Sequence, residues 1–353
     1  MNIYDENGYV DMPGIVEYMR KNGLSFCAFW AGRGTGKTFG EFKQSLIVNP
    51  NEKFIYLRRT KEQVKMLASD ELSPIKPINR VFETDYCIDT VNKGIYGIYD
   101  GIIGEDGIMR SSGKPHGTIL ALSQIAGMRG FDANEVDIIY FDEFIPEEHE
   151  RPIKNEATAF FNAYETIARN RELEGKPAPL CILTANSNNI NNPIFVALKV
   201  VTKALELEKH PTKEYSIYKD RGLMLITGKN SPVSKAKKNT ALYKLVGEGS
   251  DFVNMSLANK FVDADLADVR SRSLTEFKPI VTVGELTIYR HKSDLRYYCT
   301  THKSGNPPTF DVTKTDLTRF RRTYSHLWSA HIAGRFEFEE YICKALFETY
   351  FNK

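Results

Sequence analysis

A glycine-rich segment near the start of the chain has the residue types that hold phosphate groups. Residues 31–38 read Ala-Gly-Arg-Gly-Thr-Gly-Lys-Thr and directly follow an apolar run over residues 24–30. Glycines permit a tight loop whose backbone N–H groups point at phosphate oxygens, and the following helix adds the positive end of its dipole. We therefore predict a P-loop made of Gly32, Arg33, Gly34, Thr35, Gly36, Lys37 and Thr38.

Two side chains at the end of this loop have distinct expected roles. Lys37 is a point charge that can reach the β and γ phosphates of a nucleoside triphosphate, and the Thr38 hydroxyl can bind Mg²⁺. The first position of the motif is Ala31 in place of glycine, a small residue that such loops tolerate. The segment therefore predicts a nucleotide and Mg²⁺ as bound cofactors.

A pair of adjacent carboxylates follows a second apolar run. Residues 136–142 read Val-Asp-Ile-Ile-Tyr-Phe-Asp, and Glu143 comes next. On a parallel strand beside the P-loop strand, Asp142 can hold the Mg²⁺ shell, while Glu143 can orient and deprotonate the attacking water. Alone, these residues would fit a strand end with solvated acids. Together with the P-loop they favour hydrolysis over mere storage of the nucleotide.

The elements that must position these motifs alternate between strands and helices. Apolar runs typical of strands occur at 54–57, 81–82, 94–99, 118–122, 180–183 and 223–227. Apolar residues at helical spacing occur between them, most clearly over 155–172. This alternation predicts an α/β fold with a parallel, doubly wound sheet.

The composition changes near residue 230, where the chain becomes polar and basic. We predict a P-loop domain over 1–231, a linker or hinge over 232–265 and a small α+β domain over 266–353. In the last domain, residues 279–290 predict a hairpin. Helices are expected from residue 316 and over 337–351 because apolar residues recur there at helical spacing.

Composition restricts the class of protein. The chain has 353 residues, 42% of them apolar, and a formal net charge of +2. A chain of this length can form two hydrophobic cores. Because the net charge is so small, binding of nucleic acid would require a local basic face on the protein. The five cysteines include no CxxC pair and predict neither a disulfide framework nor a zinc site. No apolar run approaches the ~20 residues that cross a bilayer, so we expect an intracellular protein with no membrane partner.

Four motifs resemble those of a known family. They are the P-loop, Phe-Asp-Glu-Phe at 141–144, Arg-Asn-Arg-Glu at 169–172 and Thr-Ala-Asn at 184–186. The chain resembles the genome-packaging ATPases of small, protein-primed tailed phages, the φ29 type, over nearly its full length, with further similarity at 54–59 and 255–261. The resemblance implies an additional-strand P-loop ATPase domain of the terminase and FtsK-HerA type. It also implies a C-terminal domain with a degenerate, vestigially nuclease-like RNase H fold that contacts DNA or capsid.

The resemblance implies a motor that uses ATP and Mg²⁺ to move double-stranded DNA through the portal of an empty capsid. The implied partners are double-stranded DNA, portal and capsid, and other copies of the chain in a homo-oligomeric ring, a pentamer in this family. A structural RNA joins capsid and ATPase in some relatives. The implied location is the host cytoplasm and, transiently, the portal vertex of the procapsid, with the protein absent from the mature virion.

The resemblance also assigns roles to side chains outside the two main motifs. Arg33 matches an arginine placed to sense or stabilise the γ phosphate, and Asn186 would contact the γ phosphate or the attacking water. Arg169 would be an arginine finger offered to the neighbouring subunit's nucleotide, with Arg171 as the second candidate. From the residues alone, a solvated helix end explains Arg169 equally well.

Two other functions stay open at this point. A cleaving terminase large subunit needs metal-binding carboxylates in its C-terminal domain. Asp294, Asp311 and Asp316 fall at turns and at a helix start, where aspartate is favoured for capping, so we expect no nuclease activity. A binding switch without motor action would hydrolyse the nucleotide only to reset a conformation.

Basic residues near the predicted linker and on the first C-terminal helix could grip DNA. Contacts of this kind reach phosphates, ignore base sequence and weaken with salt. For any one such residue, a solvated cationic surface is the simpler explanation. The candidates are Lys235, Lys237, Lys238, Lys244, Arg319, Arg321 and Arg322.

Overall fold

The computed structural model describes residues 1–69, 72–125, 135–147, 150, 153, 155–186, 190, 192–247 and 267–352. The chain divides into two compact units, 1–189 with 206–262, and 190–205 with 263–353. Within the described ranges, no helix is both long enough and apolar enough to pass through a bilayer.

These units differ from the predicted domain division in two segments. Residues 232–262, predicted as a linker, belong to the first unit. Residues 190–205 belong to the second unit although they precede the last strands of the first unit in sequence. A helix that leaves one core and packs on another cannot be recognised from its own apolar spacing. Two parts of the sequence-based interpretation, the similarity at 255–261 and the linker residues 248–265, lie outside the described residues.

The helices of the described ranges are short. Helix α2 is continued by a π-helical turn over Gln44–Val48, and 3₁₀ turns occur at Glu172–Glu174, Lys219–Arg221 and Leu274–Glu276. The α-helices are α1 (Met12–Lys21), α2 (Lys37–Lys43), α3 (Lys61–Leu67), α4 (Ile75–Phe82), α5 (Leu122–Ile125), α6 (Glu156–Ala168), α7 (Pro193–Ala197), α8 (Val201–Lys209), α9 (Pro232–Lys237), α10 (Ala241–Val246), α11 (Lys314–Thr323), α12 (Ser325–Ile332) and α13 (Tyr341–Asn352).

The strands form one sheet in each unit. In the first unit they are β1 (Phe26–Trp30), β2 (Lys53–Arg58), β3 (Tyr86–Asn92), β4 (Ile95–Ile103), β5 (Met109–Ala121), β6 (Val136–Asp142), β7 (Leu180–Ala185), β8 (Tyr215–Tyr218) and β9 (Leu223–Thr227). In the second unit they are β10 (Phe277–Val283), β11 (Leu286–His291), β12 (Tyr297–Thr300), β13 (Thr309–Phe310) and β14 (Phe336–Phe338).

The sheet of the first unit has the strand order β3-β4-β5-β2-β6-β7-β1-β9-β8. From β5 to β9 neighbouring strands are parallel, and antiparallel pairing occurs only toward the two edges. The predicted α/β fold with a large parallel sheet is confirmed. Because parallel strands end at the same edge, the residues after β1, β2, β6, β7 and β9 meet there.

One expected neighbour relation is wrong. The strand that ends in the acidic pair does not lie beside the P-loop strand, because β7 pairs with both β1 and β6 and separates them. The loop after β1 and the carboxylates after β6 nevertheless meet across the end of β7. The two motifs can therefore act together without pairing of their strands.

The core strands are buried on both faces, as expected for parallel strands covered by helices. All residues of β7 and β9 are buried, and β1, β2 and β6 each have a single partly exposed position. Aromatic rings fill the space near the site. Phe42 of α2 stacks on Tyr56 of β2, with their ring centroids 4.7 Å apart. This packing fixes the strand ends on which the site is built.

The second unit has the sheet order β13-β10-β11-β12-β14. Strands β10, β11 and β12 form an antiparallel meander, while β13 and β14 add in parallel at its two edges. Its core joins the sheet to α11, α12 and α13 through residues such as Phe320, Leu327 and Phe347. This is an α+β arrangement, and the RNase H-like assignment stays a prediction.

Two local predictions are wrong. Val81 and Phe82 end α4 and do not form a strand, because Ile75 and Ile78 place the buried face at helical spacing. The helix predicted over 337–351 begins only at Tyr341, after the short strand β14. The apolar residues at 81–82 belong to a helix and not to a strand, and those at 336–338 belong to a strand and not to a helix.

A buried ion pair provides a test of how the first unit is held together. Arg59 is fully buried and donates from Nε to Glu156 Oε1 at 2.6 Å, from Nη2 to Glu156 Oε2 at 3.0 Å, and from Nη1 to Glu150. Glu156 opens α6 and is 1% exposed. Removing the cation would leave a buried carboxylate without its charge partner.

We therefore expect Arg59→Met to lower the free energy of unfolding by about 3–5 kcal/mol in a urea titration. Arg110→Met is the matched control because its ion pair with Asp106 is exposed, and it should cost less than about 1 kcal/mol. Equal losses in the two variants would contradict a structural role for the buried pair.

Candidate functional site

The segment after β1 has the conformation that the glycines of a P-loop permit. Gly34 and Gly36 have φ values of +67° and +89°, a backbone region that residues with a Cβ seldom adopt. The Thr35 hydroxyl donates to the carbonyl of Gly32 at 3.1 Å, and the Val10 N–H donates to the carbonyl of Thr35 at 2.9 Å. Helix α2 begins directly after Gly36. The predicted strand, loop and helix are therefore present.

Lys37 lies folded back over this loop. Its Nζ donates to the carbonyls of Ala31 and Gly32 at 3.2 and 3.0 Å and to Oδ1 of Asn186 at 3.3 Å. Burial lowers the pKa of Lys37 to about 8 in spite of the nearby carboxylates. A poorly solvated ammonium with only neutral acceptors gains much from an anion, so this position suits phosphate binding.

Asp142 lies at the end of β6, and its carboxylate contacts side chains from several other segments. Its Oδ2 accepts from the Thr38 hydroxyl at 3.0 Å and pairs with Arg58 Nη2 at 3.0 Å. The same oxygen accepts from the Tyr56 hydroxyl. Burial alone would raise the pKa of Asp142, but Arg58 and the hydrogen bonds from Tyr56 and Thr184 outweigh it and hold that pKa below its usual value. The carboxylate is thus kept charged beside Thr38.

Glu143 has an uncommon backbone. Its φ is +56°, in the left-handed region that costs a non-glycine residue about 1–3 kcal/mol. The Glu143 N–H donates to Oδ1 of Asp142 at 2.9 Å, and the Glu143 carboxylate forms an ion pair with Arg58. Burial raises the pKa of Glu143 above its ordinary value. A carboxylate with a raised pKa suits the role of general base.

These groups line one cleft of about 360 Å³. Arg33 lies at its rim, where it forms an ion pair with Glu147, and its side chain is 44% exposed. The volume lies within the ~300–1,000 Å³ usual for small-molecule sites. The lining residues are Arg33 to Phe39, Asp142, Glu143, Glu147 and Asn186.

A fully buried glutamate lies behind the cleft. The Thr184 hydroxyl oxygen lies 2.6 Å from Oε1 of Glu41 and 2.9 Å from Oδ1 of Asp142. One hydroxyl hydrogen can serve only one of these oxygens, so the second contact needs a proton on a carboxyl group. Burial raises the pKa of Glu41 well above its ordinary value, whereas the pKa of Asp142 is lowered, so of the two carboxyl groups Glu41 is the one that favours the proton. With that proton on Glu41, the acid would donate to Thr184, and Thr184 would donate to Asp142.

The two finger candidates occupy very different surroundings. Arg171 is 7% exposed and donates to the carbonyl of Val136 at the start of β6, so it serves its own chain. Arg169 is exposed at the end of α6, with φ +46° and a hydrogen bond from Nε to the carbonyl of Thr166 at 3.2 Å. Since α6 returns from the end of β6 to its start, Arg169 lies at the opposite edge of the sheet from the cleft.

The cleft brings together most of the residues predicted for it, and these residues have further partners to which the sequence motifs assign no role. Lys37 contacts Asn186 and Thr38 contacts Asp142, whereas Arg169 is not among the residues that line the cleft. Arg58, Tyr56, Thr184 and Glu41 were given no role in the site. One signal was present: Arg58 directly follows the strand predicted over 54–57, and residues that follow parallel strands lie at the same edge of the sheet as Asp142.

Among the described residues, no group of three or more His, Cys, Asp or Glu side chains could hold a metal alone. The Thr38 hydroxyl and the Asp142 carboxylate are hard oxygen donors that lie 3.0 Å apart. Mg²⁺ is usually held by one or two protein oxygens together with waters and substrate phosphates. This donor pair fits Mg²⁺ that arrives with a nucleotide.

Comparison with known proteins gives consistent results. The family described as podovirus DNA encapsidation protein (Gp16) matches residues 102–353. The DNA packaging protein of Bacillus phage phi29 is 23% identical over 337 residues, which cover 91% of each chain.

Two solved structures share the fold. They are the Phi-28 gp11 DNA packaging motor, which covers 96% of this chain and 97% of its own, and the bacteriophage Phi-29 viral genome packaging motor assembly, which covers 99% of each. Both have a TM-score of 0.61 and 18% identity. The resemblance inferred from the motifs is confirmed.

The buried Glu41 generates a prediction about pH and stability. A carboxyl whose native pKa is raised contributes stability that is complete below its unfolded value of about 4.5 and is lost as the pH rises toward the native pKa. Glutamine resembles the protonated acid and does not titrate. We expect Glu41→Gln to match the wild type near pH 5, and the wild type to lose up to about 1.4 kcal/mol per pH unit relative to it at higher pH.

Urea unfolding at pH 5, 6.5 and 8 measures this difference. The matched control is Glu6→Gln, which removes one charge from an exposed position. A difference between wild type and Glu41→Gln that stays constant with pH would show that Glu41 is ionised in the native protein.

Proposed function

Because the chain belongs to the podovirus DNA encapsidation protein (Gp16) family, we propose that it is an ATP-hydrolysing motor that moves double-stranded viral DNA into a preformed capsid through the portal. The observation that carries the ATPase part is the 3.0 Å contact between Thr38 and Asp142. It joins the P-loop to the acidic pair in one cleft. A glycine loop without carboxylates could bind phosphate but would lack a base.

Each side chain of the cleft has a defined task in this proposal. Lys37 leaves its carbonyl partners to bind the β and γ phosphates, and Asn186 then orients the γ phosphate or the water. Mg²⁺ would neutralise charge on the phosphates near Thr38 and Asp142. Glu143 takes the proton of the attacking water once its carboxylate is released from Arg58. Arg33 at the rim stabilises negative charge on the γ phosphate.

The position of Arg169 supports action between subunits. It lies at the edge of the sheet opposite its own cleft, so it could reach only the nucleotide of another copy. Contact between one edge of a subunit and the opposite edge of the next is heterologous, and such contacts form a ring when the rotation from one subunit to the next closes. We propose a homo-oligomeric ring, a pentamer by family resemblance, that acts in the host cytoplasm at the portal vertex and binds Mg²⁺ and ATP at its seams.

We propose packaging without cutting of DNA. Strands β10, β11 and β12 contain no Asp or Glu. Glu337 on β14 is held by Arg272 at 2.7 and 3.0 Å and by Arg270 at 2.7 Å. A carboxylate neutralised by two guanidinium groups is poorly available to a metal, so the described part of the second unit offers little support for two-metal cleavage.

Two variants test the proposal at the cleft. Lys37→Ala should abolish binding of Mg-ATP, because it removes the cation that the phosphates need. Glu143→Gln should keep binding but lower the hydrolysis rate at least ~100-fold, since the amide cannot take a proton. Binding is measured by calorimetry, hydrolysis by phosphate release with DNA present, and movement by displacement of a DNA triplex.

Wild-type protein should hydrolyse ATP and displace the triplex, while both variants should fail to displace it. Hydrolysis without displacement by the assembled motor would favour the binding switch. Absence of Mg-ATP binding by the wild type would overturn the ATPase assignment.

The role of Arg169 is tested by mixing two inactive variants. Arg169→Ala lacks the finger but has an intact cleft, and Glu143→Gln has a finger but no base. In a mixed ring, a cleft of the first variant can receive the finger of the second, so hydrolysis should partly recover. Arg171→Ala is the control and should lower stability because Arg171 is bonded within its own chain. No recovery on mixing would contradict action in trans.

A further inference from the structure

The segment after β9 is placed beside the P-loop by the sheet. Strand β9 runs parallel to β1, with Thr227 opposite Trp30 at the ends of both strands. The Gly228 N–H donates to the carbonyl of Trp30 at 2.8 Å and extends this pairing by one residue. The chain therefore leaves β9 next to the point where the P-loop leaves β1. The segment predicted to be a linker therefore begins close to the P-loop.

Helix α9 is fixed in this place by specific contacts. The buried Ser231 caps it by accepting the N–H of Ser234 at 3.2 Å. Pro232, the first helical residue, lies against Gly8, where an added Cβ would come within 2.7 Å of the proline Cβ. The side chain of Lys237, five residues further along, is thus held at a defined position relative to the P-loop.

Lys237, the last residue of α9, contacts the P-loop directly. Its Nζ donates to the carbonyl of Arg33 at 2.7 Å. A Cβ built on Gly34 would lie 2.2 Å from the same nitrogen, so the close approach depends on glycine at that position. Lys37 Nζ donates to the carbonyls of Ala31 and Gly32, so the two ammonium groups bind three consecutive carbonyls of one loop.

The surroundings of Lys237 favour an anion. Among the described residues its acceptor is a single neutral carbonyl, no carboxylate pairs with it, and burial lowers its pKa. An ammonium has three N–H donors, so two can serve another ligand. Two neighbouring cations on one phosphate-binding loop repel each other until a multiply charged anion lies between them.

We infer that Lys237 is a second phosphate-binding lysine that contacts the terminal phosphate of a bound nucleoside triphosphate from within the same subunit. The inference rests on the proposed function of the cleft. We assign the terminal phosphate because both amines donate to backbone carbonyls of residues 31–33. This part of the loop includes Arg33, which is proposed to stabilise charge on the γ phosphate. Loss of that phosphate removes the ligand of Lys237, so the α9 segment distinguishes triphosphate from diphosphate.

This assignment differs from the DNA-gripping role expected for the basic segment. Lys235 lies on the same helix and is exposed, with no side-chain contact to the P-loop among the described residues. The two lysines share helix and charge but differ in position. They are therefore a matched pair for an experiment.

The experiment compares Lys237→Met with Lys235→Met in the full-length protein. Calorimetry measures the affinity for Mg²⁺ with a non-hydrolysable ATP analogue and for Mg-ADP. We expect Lys237→Met to weaken binding of the analogue ~10-fold and that of ADP less than ~2-fold, in proportion to one lost charged contact. Lys235→Met should change neither, and Lys237→Arg should recover most of the analogue affinity.

Three outcomes would overturn the inference. They are unchanged analogue affinity in Lys237→Met, equal losses for the analogue and ADP, and a loss of DNA affinity with nucleotide affinity unchanged. If Lys237→Met fails to fold, Lys237→Gln keeps a polar side chain of similar reach and is read in the same way. Failure of the proposed function is distinguishable, because then the wild type binds neither nucleotide or Lys37→Ala binds as the wild type does.

Discussion

The site depends on keeping one buried carboxylate charged. Asp142 is 2% exposed, and a carboxylate without partners at that depth would take up a proton. Its charge is maintained by Arg58 and Tyr56 from β2, Thr38 from α2 and Thr184 from β7. Four segments that are distant in sequence must therefore end at one edge of the sheet. The order of the strands is a requirement of this electrostatic arrangement.

The end of β2 links this site to the rest of the first unit. Consecutive arginines point to different carboxylates: Arg58 pairs with the acidic pair after β6, and the fully buried Arg59 pairs with Glu156 at the start of α6. The helix so anchored carries Arg169 at its other end, about 20 Å away for its 13 residues. One strand end thus contacts both the carboxylates of Asp142 and Glu143 and the helix that presents the proposed finger.

Glutamate positions in the site show how burial decides chemistry. Glu41 and Glu143 both have raised pKa values, but Glu41 is fully buried behind the cleft and Glu143 is 43% exposed at its surface. The first can act as a neutral donor in a hydrogen-bond chain, and the second can exchange protons with water. The sequence does not show this difference in exposure, because Glu41 is simply a glutamate in a helix and Glu143 a glutamate that follows a strand. Solvent access separates a structural proton from a catalytic one.

The sequence by itself determined the elements that carry chemistry, because glycine spacing, apolar runs and adjacent carboxylates act locally. The P-loop, the strand ending at Asp142 and the parallel sheet followed from such patterns. Only the tertiary structure decided that β7 separates β1 from β6, that Arg58 neutralises Asp142, and that Lys237 of a basic segment lies on the P-loop. Strand order and the path of a chain beyond a strand end depend on packing between distant segments. Local residue patterns contain no record of that packing.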